Sequence, residues 1–190
     1  NEEFKLGKGD ILVTNEWMYN PYVKPLGIDI PVIFQEKYGK GEPSDEMIDA
    51  IAKDMKEYSY DRIVAFGGGT IVDICKILCL DLPEQSVKVF TKEVPAKKVK
   101  ELIVIPTTCG TGSEVNGTAV LSDPATNDKR GMRNNDYLPT VSIVDPLLMK
   151  TMPKPVLAAV GFDALCHNME AFLSRKGQPF SEIMALRGME

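Results

Sequence analysis

The chain has 190 residues, 44% hydrophobic and 26% charged, the balance of a globular protein with a core of its own. The formal net charge is -5, the pI is about 5.1, and no basic stripe stands out, which argues against nucleic acid as a partner. The opening, "NEEFKLGKGD", lacks the apolar run of a secretory signal, and no segment reads as a bilayer span.

Short runs rich in Val and Ile alternate with helical patterns. "DILVTN" (10–15), "PVIFQE" (31–36), "DRIVAF" (61–66), "ELIVIP" (101–106) and "TVSIVD" (140–145) read as strands. They are almost continuously apolar, as strands buried on both faces are. Between them "SDEMIDAIAKDMKEY" (44–58) reads as a helix capped by Ser44. Its Met47, Ile48, Ile51, Ala52 and Met55 form one stripe. "TIVDICKILCL" (70–80) reads as a second helix. This alternation predicts a parallel sheet with helices on both faces. "TKEVPAKKVK" (91–100) reads as a charged surface loop. "TAVLSD" and "KRGMRN" flank "PATND" and suggest a hairpin. From Pro155 the pattern turns helical, breaks at "RKGQP" and restarts. The expected division is 1–154 for an α/β domain and 155–190 for the beginning of a helical one. The chain lacks an initiator Met and stops at Glu190 inside a helical pattern, which reads as an N-terminal piece of a longer protein. Cys75, Cys79, Cys109 and Cys166 fit neither a zinc ribbon nor a disulfide framework, and are expected to be buried thiols in a reducing cytosol.

Three motifs carry chemistry. In "RIVAFGGGTIVDICK" a buried strand runs into three glycines and then a helix expected from Thr70. Glycines let backbone N–H groups approach a ligand, some through positive φ. The helix start offers free N–H groups and a positive dipole end, a setting suited to a pyrophosphate. The spacing is neither G-x-G-x-x-G nor a P-loop, and a tight turn with no ligand stays open as a reading. Asp73 falls in the expected first helical turn, where a carboxylate favours the helix. "IPTTCGTGSEVNGTAV" also follows a strand and supplies the hydroxyls of Thr107, Thr108, Thr111 and Ser113. Loops after neighbouring parallel strands are where open α/β sheets bind ligands, although a plain polar loop would show the same composition. "GFDALCHNMEAF" holds the sole histidine, His167, four residues after Asp163. That spacing puts both on one helical face, able to share a metal ion. The wet face of an amphipathic helix, with Glu170 and Ser174 on the same stripe, is the alternative.

Together these segments resemble the iron-containing (group III, metal-dependent) alcohol dehydrogenase family. "GGGTIVDICK" is similar to its G-G-G-S-x-x-D-x-x-K motif, "PTTCGTGSEV" to its P-T-T-x-G-T-G-S-E-V, and "GFDALCHNMEAF" to its G-x-D-A-x-x-H-x-x-E. Within the family, "TNEWMYNPYVK" and "QEKYGKGEPSDEMI" are most similar to 4-hydroxybutyrate dehydrogenases. The resemblance implies a Rossmann-like, dehydroquinate synthase-like α/β domain binding NAD, then an all-helical metal domain. It places Gly68, Gly69 and Asp73 in the pyrophosphate motif. It puts Thr107, Thr108 and Thr111 on the nicotinamide side, with Asn116, Thr118 and Lys129 nearby. Asn15 stands where many members carry an aspartate that binds the adenosine ribose; an amide still bonds a 2′-hydroxyl but does not repel a 2′-phosphate. Gly41-Glu42-Pro43-Ser44 replaces the family's P-N-P-T. Asp163 and His167 are the implied ligands of Fe(II), or alternatively Zn. Two further histidines and any remaining catalytic groups are expected from later helices, beyond Glu190. The implied reaction is exchange of hydride between NAD and a primary alcohol in a cytoplasmic enzyme, acting on 4-hydroxybutyrate and succinate semialdehyde. A homodimer is also implied. The alternatives are another alcohol (glycerol, propanediol, butanol), a dehydroquinate synthase relative, or a non-catalytic NAD-binding fragment.

Overall fold

The structure, a computed structural model, describes residues 5–123 and 128–190. Seven strands are described: β1 (Asp10–Thr14), β2 (Val32–Phe34), β3 (Arg62–Gly67), β4 (Glu101–Pro106), β5 (Thr118–Asp123), β6 (Asp128–Arg133) and β7 (Val141–Ser142). The α-helices are α1 (Glu16–Tyr22), α2 (Asp45–Met55), α3 (Gly69–Leu78), α4 (Val87–Phe90), α5 (Lys154–Leu173) and α6 (Pro179–Met189). A five-stranded parallel sheet has the order β2-β1-β3-β4-β7, the α/β class the alternation predicts.

The apolar runs become strands because both sheet faces are covered. All of β1 is buried, as are Ile63, Val64 and Ala65 of β3 and Leu102, Ile103 and Val104 of β4. Met47, Ile48, Ile51 and Met55 of α2 and Ile71, Ile74, Cys75 and Leu78 of α3 join the same core. Ser44 caps α2 by accepting from Met47 N–H at 3.2 Å. Asp10, buried in β1, accepts from Nε and Nη2 of Arg62 in β3 at 2.6 and 2.8 Å. This bidentate pair satisfies a charge that would otherwise be costly inside.

Several boundaries differ from the sequence reading. The last strand shrinks from 140–145 to Val141–Ser142, because Asp145 turns to cap a 3-10 helix at Pro146–Met149, accepting from Leu147 N–H at 2.9 Å. The first long helix ends at Met55, and the short helices α1 and α4 carried no clear stripe. β5 and β6 pair antiparallel, while the expected turn at 124–127 lies outside the described residues. Of the four thiols, Cys75 and Cys79 are buried as expected. Cys166 is half-buried and Cys109 exposed, because the loop and helix that carry them leave those positions uncovered.

By its contacts the chain forms two compact units, one of 1–106 with 113–144, the other of 107–112 with 145–190. In the second unit no α5 residue is buried, and in α6 only Ala185 is. By length and composition α5 passes as a membrane-spanning helix, with mean hydropathy 1.3. That corrects the expectation that no segment could span a bilayer. Asp163, His167 and Glu170 break its apolar run without lowering the mean below that of a span.

Candidate functional site

β3 and β4 end side by side, Gly67 paired with Pro106, so the glycine turn and the threonine loop leave the sheet from adjacent positions. Helix α3 starts at Gly69, one residue earlier than expected, with Gly68 as an N-cap that offers no side-chain oxygen. Its first N–H groups therefore meet no capping side chain, the arrangement that suits an anion. None of Gly67, Gly68 and Gly69 adopts positive φ, so the expectation of a left-handed conformation does not hold here. At Gly67 the reason is packing: a Cβ there would stand 2.6 Å from Ile71 Cγ1.

Asp73 and Lys76 turn inward from α3. Starting the helix at Gly69 moves Asp73 out of the first turn, so it gives the helix end no charge. Its carboxylate accepts instead from Ser113 Oγ at 2.6 Å and from Val120 N–H at 3.0 Å. The side chain of Lys76 has no exposed surface. Its Nζ donates to Ser113 Oγ at 2.7 Å, Thr118 O at 2.6 Å and Asn116 Oδ1 at 3.2 Å, and lies 3.8 Å from Asp73 Oδ1. Burial pulls Lys76 down to about 8, against the opposing pull of Asp73 and Glu114. Burial likewise pushes Asp73 above the usual carboxylate range, opposed by Ser113, the Val120 N–H and Lys76. Asp73, Asn116 and the Thr118 backbone are thus engaged in one network that pins the C-terminal flank of the threonine loop. Sequence reasoning gave Lys76 no role. The D-x-x-K spacing, which sets two opposite charges three apart on one helix face, was the available signal.

Within the loop Thr107 is 5% exposed, Thr108 half-buried and Thr111 exposed. Gly112 has φ +60°, and a Cβ on Gly110 would stand 2.7 Å from Val160 O of α5. Lys129 of β6 pairs with Glu42, which also accepts from Ser122 Oγ at 2.9 Å. The hairpin is thereby tied to the segment that departs from the P-N-P-T pattern. Asn15 caps no N–H with its side chain. Its Nδ2 donates to Gln35 Oε1 at 3.2 Å and Glu36 Oε2 at 3.0 Å.

On α5, Asp163 Oδ1 and His167 Nε2 lie 3.6 Å apart, with side chains 44% and 57% exposed. One carboxylate and one imidazole, a turn apart and open to solvent, fit as two ligands of a divalent metal. Among the described residues no group of three or more His, Cys, Asp or Glu could hold an ion. Glu190, beyond which the resemblance puts the remaining groups, is itself no part of the pair. It is the C-cap of α6, and its carboxylate is exposed and pairs with Arg187 one turn back, a surface ion pair of the kind that adds little stability.

The model of the family described as iron-containing alcohol dehydrogenase matches residues 3–146. The chain belongs to the iron-containing alcohol dehydrogenase family. It is 41% identical over 187 residues to a 4-hydroxybutyrate dehydrogenase of Clostridium kluyveri, covering 98% of this chain and 50% of that protein. It is 36% identical to an alcohol dehydrogenase of Thermococcus barophilus, over 78% of this chain and 41% of the relative. Among solved structures, sulfoacetaldehyde reductase from Bifidobacterium kashiwanohense, in complex with NAD+, matches with a TM-score of 0.84 at 26% identity. The match covers 94% of this chain and 49% of that one. An iron-containing alcohol dehydrogenase from Thermotoga maritima matches with a TM-score of 0.81 at 28% identity, over 96% and 52%. The chain spans about half the length of the curated relatives it matches.

Proposed function

We propose that the protein is an NAD-dependent, metal-dependent oxidoreductase that interconverts a primary alcohol and its aldehyde, acting on 4-hydroxybutyrate and succinate semialdehyde. The observation that carries the reaction type is the Asp163–His167 pair, a turn apart with 3.6 Å between Oδ1 and Nε2. The substrate reading rests on the 41% likeness to a 4-hydroxybutyrate dehydrogenase.

The roles follow from the chemistry of each group. The uncapped start of α3, at Gly68 and Gly69, binds the pyrophosphate through backbone N–H groups. Thr107, Thr108 and Thr111 would line the nicotinamide side and position a bound nicotinamide for hydride exchange. The Asp73–Lys76–Ser113 network fixes the flank of that loop, with Asn116 and Thr118 as its acceptors. Lys129, paired with Glu42, secures the hairpin near the nicotinamide side. Asp163 and His167 would hold Fe(II), or Zn, as two of its ligands, with the others supplied from beyond Glu190. When bound, the metal supplies Lewis-acid stabilisation of negative charge on an alcohol oxygen. We place the enzyme in the cytoplasm, with the soluble nicotinamide pool, and read it as a homodimer.

A second reading is a nucleotide-binding module without catalysis. It is favoured by the finding that the described residues hold no third metal ligand beside the pair. Metal content separates the two. Protein purified without air should carry about one iron or zinc per chain, and Asp163→Asn and His167→Ala should each reduce it at least tenfold. Equal metal content in wild type and both variants contradicts the first reading. Binding of NAD with no bound metal supports the second.

A further inference from the structure

The carboxyl ends of β1 and β2 are adjacent, Thr14 paired with Phe34, and the residues just beyond them interlock. Asn15 gives both amide hydrogens to the other strand's exit, to Gln35 Oε1 and Glu36 Oε2. The other Glu36 oxygen, Oε1, accepts from Glu16 N–H at 2.5 Å. Gln35 is 6% exposed and is itself fixed, donating to Gly39 O at 3.1 Å and Met47 Sδ at 3.3 Å. Glu36 is half-buried. Two donors set the plane of its carboxylate, and a carboxylate has lone pairs for further donors. Of the neighbouring charges, Glu16 is exposed and adds negative potential, while the Lys37 ammonium lies 5.2 Å from the Phe34 ring centroid, in cation–π contact.

The sheet order gives this carboxylate its meaning. The glycine turn follows β3, the threonine loop follows β4 on one side, and β1 and then β2 lie on the other. An extended dinucleotide with its pyrophosphate at the glycine turn and its nicotinamide toward β4 lays its adenosine across the ends of β1 and β2. Strands about 4.8 Å apart make that reach about 10 Å. Of the two carboxylates there, Glu36 is the one held in place by two donors, Glu16 being exposed, and the Asn15 amide is engaged by the β2 exit.

We propose that Glu36 selects NAD over NADP: its carboxylate accepts from the adenosine ribose 2′-hydroxyl and repels a 2′-phosphate, with Asn15 and Gln35 as positioning residues. This rests on the nucleotide-binding role given to the glycine turn. A 2′-phosphate carries close to two negative charges at neutral pH, and like charges brought together at a site weaken binding strongly.

The test is Glu36→Gln in the complete protein. Calorimetry compares ADP with its 2′-phosphorylated counterpart, and steady-state kinetics compares NADH with NADPH. The variant keeps the side chain's size and one acceptor oxygen. The preference for the unphosphorylated nucleotide should fall about tenfold or more, mainly through tighter binding of the phosphorylated one. Glu36→Asp, which keeps the charge, should retain most of the preference. A preference within about twofold of wild type, including the case where both nucleotides weaken together, overturns the assignment. If wild type binds ADP and the preference stays, Glu36 alone is wrong. If wild type binds neither nucleotide, the nucleotide-binding reading falls and this inference with it.

Discussion

At Gly67 a single hydrogen atom decides how closely α3 approaches β3. A methyl group there would meet Ile71 Cγ1 at 2.6 Å and Cβ at 2.9 Å, and Ile71 is 1% exposed with nowhere to retreat. Gly67→Ala should cost about 1–3 kcal/mol through overpacking. Combined with Ile71→Ala it should cost less than the two single changes summed, because Cγ1, the nearest clashing atom, and Cγ2 are removed while only Cβ stays. Urea denaturation of the four proteins reads this coupling; additive costs would show that Gly67 is not packed as described. The glycine run was legible as a turn from its place between a buried strand and a helix. Its reason was not, since close packing on Ile71 depends on where the helix axis lies. Asn15 shows the same limit. Its place at the end of β1 could be read, but its bonds to Gln35 and Glu36 arise from a strand pairing 20 residues away.

The elements were the most legible level. β1, β3 and β4 announce themselves as unbroken apolar runs because the sheet is covered on both faces, and α2 does so through its stripe and Ser44. β7 was overread, because "SIVD" has strand composition but Asp145 diverts it into a cap. What joins elements was hidden: α3 holds β5 and the exit of the threonine loop through Asp73 and Lys76, across 37 to 47 residues of sequence. Lys76→Met would leave Asp73 and the surrounding oxygens without their cation, at a cost of about 3–5 kcal/mol at neutral pH. The pH dependence has a definite sign. Lys76 sits near 8 in the folded protein against an ordinary 10.5, so the folded state binds fewer protons across that window. Its desolvation cost is complete below about pH 8 and lifts as pH rises toward 10.5. The stability margin of wild type over Lys76→Met should therefore widen between those pH values, as read by denaturant midpoints. A margin that narrows would show that the folded protein holds Lys76 in its charged form more strongly than water does.

At the scale of the whole molecule the chain comprises an α/β unit with a glycine turn and a helical unit bearing Asp163 and His167. The family was legible because three motifs keep their order and spacing. The site was legible only in part: two proposed metal ligands can be named, and the described residues offer no group of three or more that could hold an ion. The residue that would take the carboxylate of the proposed substrate was not legible, because specificity lies in side chains that motif spacing does not constrain. The most direct measurement is NADH oxidation by the complete protein, prepared with Fe(II) under argon and offered succinate semialdehyde or the neutral aldehyde butanal. The expected result is turnover with succinate semialdehyde, a kcat/KM for it at least about tenfold above that for butanal, and loss of turnover in Asp163→Asn. Preference for butanal would contradict the substrate while leaving the reaction type standing. Turnover undiminished in Asp163→Asn, or none with either aldehyde in metal-loaded protein, would contradict the central claim.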